Sequence, residues 1–141
     1  MFEMFQKIID VTNGVYICKN RVLLLQRKWN YEFAGQWCTP GGKVEANESI
    51  EDSMIREFFE ETNIKNNNWK FFLTSCNRNY HFHHFLHKID EDFPTVVIST
   101  KEHVGFGWFL LDELSSIKIT NATYDALSTL FLIKKQENSQ V

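Results

Sequence analysis

The apolar residues of this chain change their spacing several times, and each change marks an element. Residues 15–18 (VYIC) and 22–26 (VLLLQ) are short apolar runs, set off by Gly14. They are expected to pair as a hairpin across Lys19, Asn20 and Arg21. Residues 28–36 are polar and aromatic, a loop in which Gly35 marks a turn. Residues 37–39 form a short extended piece, because Pro40 drives Thr39 out of the helical region. Over residues 49–62 the spacing becomes helical, with Ile50, Met54, Ile55, Phe58 and Phe59 supplying the apolar side. Ser49 and Asp52 read as a capping pair at its start, and Asn63 suits the left-handed position at its end. Residues 69–76, 80–89, 93–99 and 106–111 read as strands, the last entered through Gly105 and Gly107. Residues 121–134 form an amphipathic helix with Leu127, Leu130 and Phe131 facing inward and Asn121 as its N-cap. Strands around one helix, then further strands and a final helix, give an α+β fold, an α/β/α sandwich about a mixed central sheet.

Composition narrows the picture. The 141 residues fit one domain, 1–141, with about 134–141 as a frayed tail. They are 43% hydrophobic and include thirteen Phe, enough for a substantial core. The net charge of −3 supplies no general attraction to nucleic acid or to an anionic membrane, so neither is expected as a stable partner. Cys18, Cys38 and Cys76 are widely spaced and match no zinc or redox pattern. Free thiols, together with an amino terminus too short and acidic for a signal peptide and no membrane-length apolar run, point to the cytoplasm. Monomer and homodimer both remain open.

The helix after Gly41 and Gly42 carries the chemistry. Glu57, Glu60 and Glu61 stand at i, i+3 and i+4, so a helix puts three carboxylates on one face. Like charges there cost roughly a few tenths of a kcal/mol per pair unless compensated. Mg²⁺, a hard cation that binds carboxylate oxygens and shares phosphate oxygens, would reverse that sign. The stretch reads as a metal site aimed at a phosphorylated substrate.

Residues 42–64, GKVEANESIEDSMIREFFEETNI, resemble the Nudix box G-x5-E-x7-R-E-U-x-E-E-x-G-U, where U is a bulky apolar residue. Gly42 and Glu48 are the first fixed positions. Arg56 and Glu57 match the RE pair, Phe58 the U, Glu60 and Glu61 the EE pair, and Ile64 the last U. Asn63 departs from the box glycine, but Asn tolerates the left-handed conformation. The resemblance implies a Nudix-like fold, with a catalytic loop-helix and a C-terminal helix, that hydrolyses a nucleoside diphosphate linked to another moiety. It implies metal binding by the Gly41 carbonyl, Glu60 and Glu61, with Glu57 binding a second metal or orienting the attacking water. Arg56 would hold the glutamates in register through Glu48 or Glu57. The resemblance also implies Mg²⁺ as the cofactor, with Mn²⁺ as a substitute.

Outside the box the chain is similar to the MutT branch. Glu102 precedes Trp108 at the separation of a metal-binding loop glutamate in that branch, and Asn121 falls where it has a base-reading asparagine. Arg27 is a candidate for phosphate or ribose, and Trp37, Phe33 and Tyr80 for stacking on a base, although core packing is the simpler reading for these aromatics. His81, His83 and His87 would share one strand face and His84 the other; with no cysteine at ligand spacing, solvent-facing histidines are expected there rather than zinc. The first functional reading is hydrolysis of a (d)NTP, including an oxidised purine such as 8-oxo-dGTP, to the monophosphate and pyrophosphate. Alternatives are a dinucleoside polyphosphate, to which Tyr80 is a weak pointer, an ADP-ribose-like sugar nucleotide, or a capped RNA. A non-catalytic nucleotide-binding module is the third reading, and no box glutamate is missing to support it.

Overall fold

The computed structural model describes residues 7–130. Strand β1 (Ile9–Cys18) is the axis of a seven-stranded sheet with the order β3-β2-β1-β6-β5. The neighbours are β2 (Arg21–Arg27), β3 (Trp37–Cys38), β5 (Lys70–Cys76) and β6 (Tyr80–Ile89). β4 (Gly41–Lys43) pairs with β1, and β7 (His103–Phe109) pairs with β2. β1 runs parallel to β6 and antiparallel to β2 and β4, which makes the sheet mixed. Helix α1 (Ile50–Thr62) covers one face and α2 (Asn121–Thr129) the other.

Alternation along the strands divides the core in two. Val15, Ile17, Val22 and Leu24 meet Ala126 and Leu127 of α2. Tyr16, Leu23 and Phe85 meet Met54 and Phe58 of α1. Met54 and Phe58 are fully buried, and each contributes about 1.5–3 kcal/mol by leaving water. Phe59, expected on that apolar side, is 45% exposed, because the sheet reaches only the narrower stripe through Met54 and Phe58.

The hairpin forms with a two-residue turn, since Arg21 already pairs with Cys18. Lys19 and Asn20 both have positive φ, the twist-matched geometry of such turns. Ser49 caps α1 by accepting from the Asp52 amide at 3.0 Å. Asn63 ends the helix at φ 63°, ψ 20°, with its N–H on the Phe59 carbonyl.

Three expectations need correction. Residues 93–99 are not a strand. Their amides at Val97 and Ser99 donate to the carbonyls of Thr62 and Glu61, so the segment satisfies the open end of α1 instead of a sheet edge. β7 begins at His103, three residues earlier than residues 106–111, because its glycines sit within the ladder to β2. A 3₁₀ turn, Leu111–Ser116, follows. At α2 the N-cap is Thr120, which accepts from the Thr123 amide, and Asn121 is the first helical residue. The expected end of that helix, with Phe131, lies outside the described residues.

One edge of β1 is shared. β2 takes residues 17–18, β4 takes residues 11–13, and between them the Gly14 amide donates to the Pro40 carbonyl at 2.8 Å. The parting of β2 from β4 opens the sheet beside the C-terminal half of α1.

Candidate active site

At Gly41 and Gly42, β4 lies against β1 and α1 so closely that neither position has room for a side chain. A Cβ on Gly41 would fall inside the Thr12 carbonyl, and one on Gly42 inside the Glu57 carboxylate. The glycine pair therefore brings bare backbone to the acidic face of the helix. The Gly41 amide donates to Glu61 Oε1 at 3.0 Å. Thr12 of β1 anchors the same turn, its hydroxyl donating to the Gly42 carbonyl at 3.4 Å and lying 3.5 Å from the Ser53 hydroxyl.

Arg56 gathers the acids around it. Its Nε and Nη2 donate to the two oxygens of Glu48 at 2.7 and 2.9 Å, a bidentate pair. Nη1 reaches Glu57 Oε2 at 3.1 Å and Glu60 Oε1 at 3.2 Å, and Nη2 also donates to the Lys43 carbonyl at 3.1 Å. One guanidinium thus ties the loop before the helix to two box glutamates. Glu48 is held below the usual carboxylate range, chiefly by that bond.

The two inner carboxylates shift the opposite way from Glu48. Burial pushes Glu61 well above the usual range, helped by Glu57 and Glu102 and opposed by the Gly41 amide. Burial also raises Glu57, against the pull of Arg56. Glu57 keeps Arg56 beside it, whereas no lysine or arginine among the described residues pairs with Glu61. A hard divalent cation fits this donor set of carboxylate oxygens backed by a glycine carbonyl. Among the described residues no three such groups are already gathered around one point, and Glu60 is drawn to Arg56.

The loop before β7 closes the far side. Glu102 Oε1 lies 3.6 Å from Arg27 Nη1, and the Lys28 amide donates to the Glu102 carbonyl at 2.8 Å. Glu102 is thus beside the box glutamates but turned to Arg27, whose Nε also donates to the Glu32 carbonyl. His103, the next residue, is buried, with Nδ1 4.0 Å from Glu61 Oε2 and Nε2 3.8 Å from Cys38 Sγ. Burial pushes this imidazole down to about 4. Burial, then Glu61, pushes the Cys38 thiol up to about 12.

Arg56 bonds Glu57 and Glu60, the Gly41 amide bonds Glu61, and Arg27 pairs with Glu102, whose charge acts on Glu57 and Glu61. Asn121 is exposed and adjoins them through β3, where the Thr39 amide donates to Thr123 Oγ1 and the Thr120 amide to the Trp37 carbonyl. With Thr120 acting as cap, its amide side chain has no bonded partner among the described residues. Trp37 is half-buried, edge-on to Phe109 at 4.9 Å between ring centres, and packs into the core on the α2 side. That position favours packing over base stacking. Tyr80 lies beside Phe82 on the sheet face away from α1, at a register position opposite Ile9, whereas Gly41 opposes Asn13. Four residues of strand, about 13 Å, separate those register positions. Phe33 is 55% exposed in the loop after β2.

Two of the four histidines in the run are not solvent-facing, whereas His81 and His87 remain partly exposed. His84 is fully buried, bonded to Ser75 Oγ, and His83 is nearly so, bridging Asp10 Oδ1 and Thr74 Oγ1. The alternation of faces is as the sequence predicts, but Asp10 and Thr74 bond His83 on one face while Ser75, Phe72 and Phe82 surround His84 on the other.

The family model for the NUDIX domain matches residues 9–130. The chain belongs to the Nudix hydrolase family. The 8-oxo-dGTP diphosphatase of Proteus vulgaris is 31% identical over 111 residues, 78% of this chain and 81% of that protein. The uncharacterised Nudix hydrolase YvcI of Bacillus subtilis is 50% identical over 54 residues, but those are 38% of this chain and only 32% of YvcI. The MutT NUDIX hydrolase of Burkholderia pseudomallei has the same fold, with a TM-score of 0.75 at 26% identity over 87% of this chain and 98% of that one. The Nudix box therefore sits in the loop-helix its spacing predicts, and Asn63 replaces the box glycine in a left-handed turn. His103 and Cys38 escaped the sequence reading. Their only signal was a strand start three residues earlier than the glycines suggest.

Proposed function

We propose that this Nudix hydrolase cleaves a (d)NTP, an oxidised purine such as 8-oxo-dGTP among them, to the monophosphate and pyrophosphate. The observation that supports the reading is the side-chain-free Gly41–Gly42 turn packed on Glu57 and bonded to Glu61, with Glu60 on the shared Arg56 and Glu102 paired to Arg27 close enough to act on Glu57 and Glu61. Mg²⁺, or Mn²⁺ in its place, would be held by the Gly41 carbonyl and by Glu57, Glu60, Glu61 and Glu102. When bound, such an ion neutralises phosphate oxygens and lowers the pKa of water. The chain's own residues do the rest. Arg56 keeps Glu57 and Glu60 in register. Arg27, released by Glu102, meets a phosphate. Water adds to phosphorus, the anhydride P–O bond breaks towards pyrophosphate, and Glu57 or Glu102 takes the proton of the water. Asn121 offers a donor and an acceptor to the base edge. The 8-oxo-dGTP activity named for the Proteus vulgaris relative supports this substrate class.

The test is a panel of (d)NTPs, 8-oxo-dGTP, ADP-ribose, dinucleoside polyphosphates and capped RNA with Mg²⁺, with products separated by chromatography. Pyrophosphate from a triphosphate is the expected outcome. AMP with ribose 5-phosphate, or ATP with AMP, would replace the substrate assignment. No turnover with either metal would leave a nucleotide-binding module.

A further inference from the structure

Among the buried ionisable groups near the box, His103 has no part in the mechanism above. It sits at the start of β7, where the ladder to β2 is irregular and His103 stands opposite Arg27. Its side chain is 2% exposed, so it faces no solvent and no nucleotide. Each ring nitrogen has a polar neighbour. Nδ1 lies 4.0 Å from Glu61 Oε2, just beyond hydrogen-bond length, and makes no hydrogen bond to another of the described residues. Nε2 points at Cys38 Sγ from 3.8 Å, within reach of a sulfur bond. The other oxygen of Glu61 is already fixed by the Gly41 amide at 3.0 Å.

A neutral imidazole carries one N–H and one lone pair, and its neighbours decide which nitrogen holds which. A carboxylate accepts and a protonated thiol can donate. We infer that His103 is a positioning residue for Glu61: in the metal-loaded protein it donates from Nδ1 to Glu61 Oε2, while Nε2 accepts from the Cys38 thiol. Glu61 is then held by a donor on each oxygen, Gly41 on one and His103 on the other. Its remaining lone pairs are turned to the cleft. Outer partners of this kind fix the orientation of a ligating carboxylate, and losing one typically costs about 10–100-fold in metal affinity. The inference rests on Glu61 being a metal ligand.

Two measurements on the full chain test it. The first needs no variant. A long-range ¹H–¹⁵N spectrum of the Mg²⁺-loaded protein should show His103 neutral and protonated on Nδ1; protonation on Nε2 overturns the assignment. The second titrates Mn²⁺ and follows the free ion by electron paramagnetic resonance. His103→Leu should bind Mn²⁺ about 10–100-fold more weakly. His103→Asn, whose amide NH₂ can stand where Nδ1 stood, should recover most of that loss. Cooperative thermal unfolding confirms that each variant is folded. Folded His103→Leu with unchanged Mn²⁺ affinity, or His103→Asn no better than His103→Leu, refutes the role. Glu61→Gln is the separate arm: wild-type Mn²⁺ affinity there would sink the metal site itself rather than the role of His103.

Discussion

Glu57 occupies the space that a side chain on Gly42 would need. The glycine that opens the box and the glutamate about two turns into the helix are one contact, made by packing β4 on α1. The box spacing keeps that fit: Gly42 must be bare for Glu57 to stand upright against the strand.

Gly42→Ala should therefore leave a folded protein with a displaced Glu57. The expected result is at least about tenfold lower kcat, with a stability loss of about 1–3 kcal/mol from overpacking. Steady-state kinetics with urea unfolding checks it, and wild-type kcat would show that Glu57 has no part in turnover.

Arg56→Ala removes the guanidinium shared by Glu48, Glu57 and Glu60. Three acids are then left without their common partner. A loss of about 1.5–3 kcal/mol is expected without metal, the scale of a charged hydrogen bond in a partly buried site. Mg²⁺ should raise the melting temperature of this variant more than that of wild type, because the cation replaces the missing charge. Equal shifts in both would contradict the account.

Thr120 and Asn121 divide capping from recognition, and two single variants separate them. Thr120→Ala should cost about 1 kcal/mol of stability with base preference unchanged. Asn121→Ala should stay within about 0.5 kcal/mol of wild type yet alter discrimination among bases. Unaltered discrimination in Asn121→Ala removes it from the substrate site.

His84 sets an acid limit on stability. Its imidazole is fully buried between Ser75 Oγ and the rings of Phe72 and Phe82, and burial, then His83, pushes it down to about 4 from 6.5. A depressed histidine is protonated first in the unfolded chain. Its stabilising share is thus complete above about pH 6.5 and is lost as pH falls towards 4, about 3 kcal/mol in all. Glu57 and Glu61, whose values are raised, act in the opposite sense: their share is present at low pH and lost as pH rises. Comparing wild type with His84→Asn isolates the histidine. The variant should show a shallower fall of unfolding free energy between pH 6.5 and 4; an identical slope would refute it.

The reaction class was legible because the box is local. Fixed intervals on one helix put Glu57, Glu60, Glu61 and Arg56 on neighbouring turns whatever the sheet does, and capping by Ser49 and Asn63 depends only on the residues beside them. Residues 93–99 misled for the complementary reason. Their composition suits a strand, but the available partner was the open end of α1. Likewise the histidine run shows its alternation in the sequence and not its burial, since burial needs a second layer on each face.

From its sequence alone this protein is a Nudix hydrolase with an acidic loop-helix, because short-range geometry fixes which side chains share a helix face. Only the tertiary structure decided what that face meets. The split edge of β1 seats Gly41 on Glu61, the register of β7 on β2 delivers Glu102 to Arg27 and His103 to Glu61, and Thr120 takes the cap that leaves the Asn121 side chain unbonded. Those pairings join residues far apart in the chain, and a contact of that range exists only once the sheet has closed.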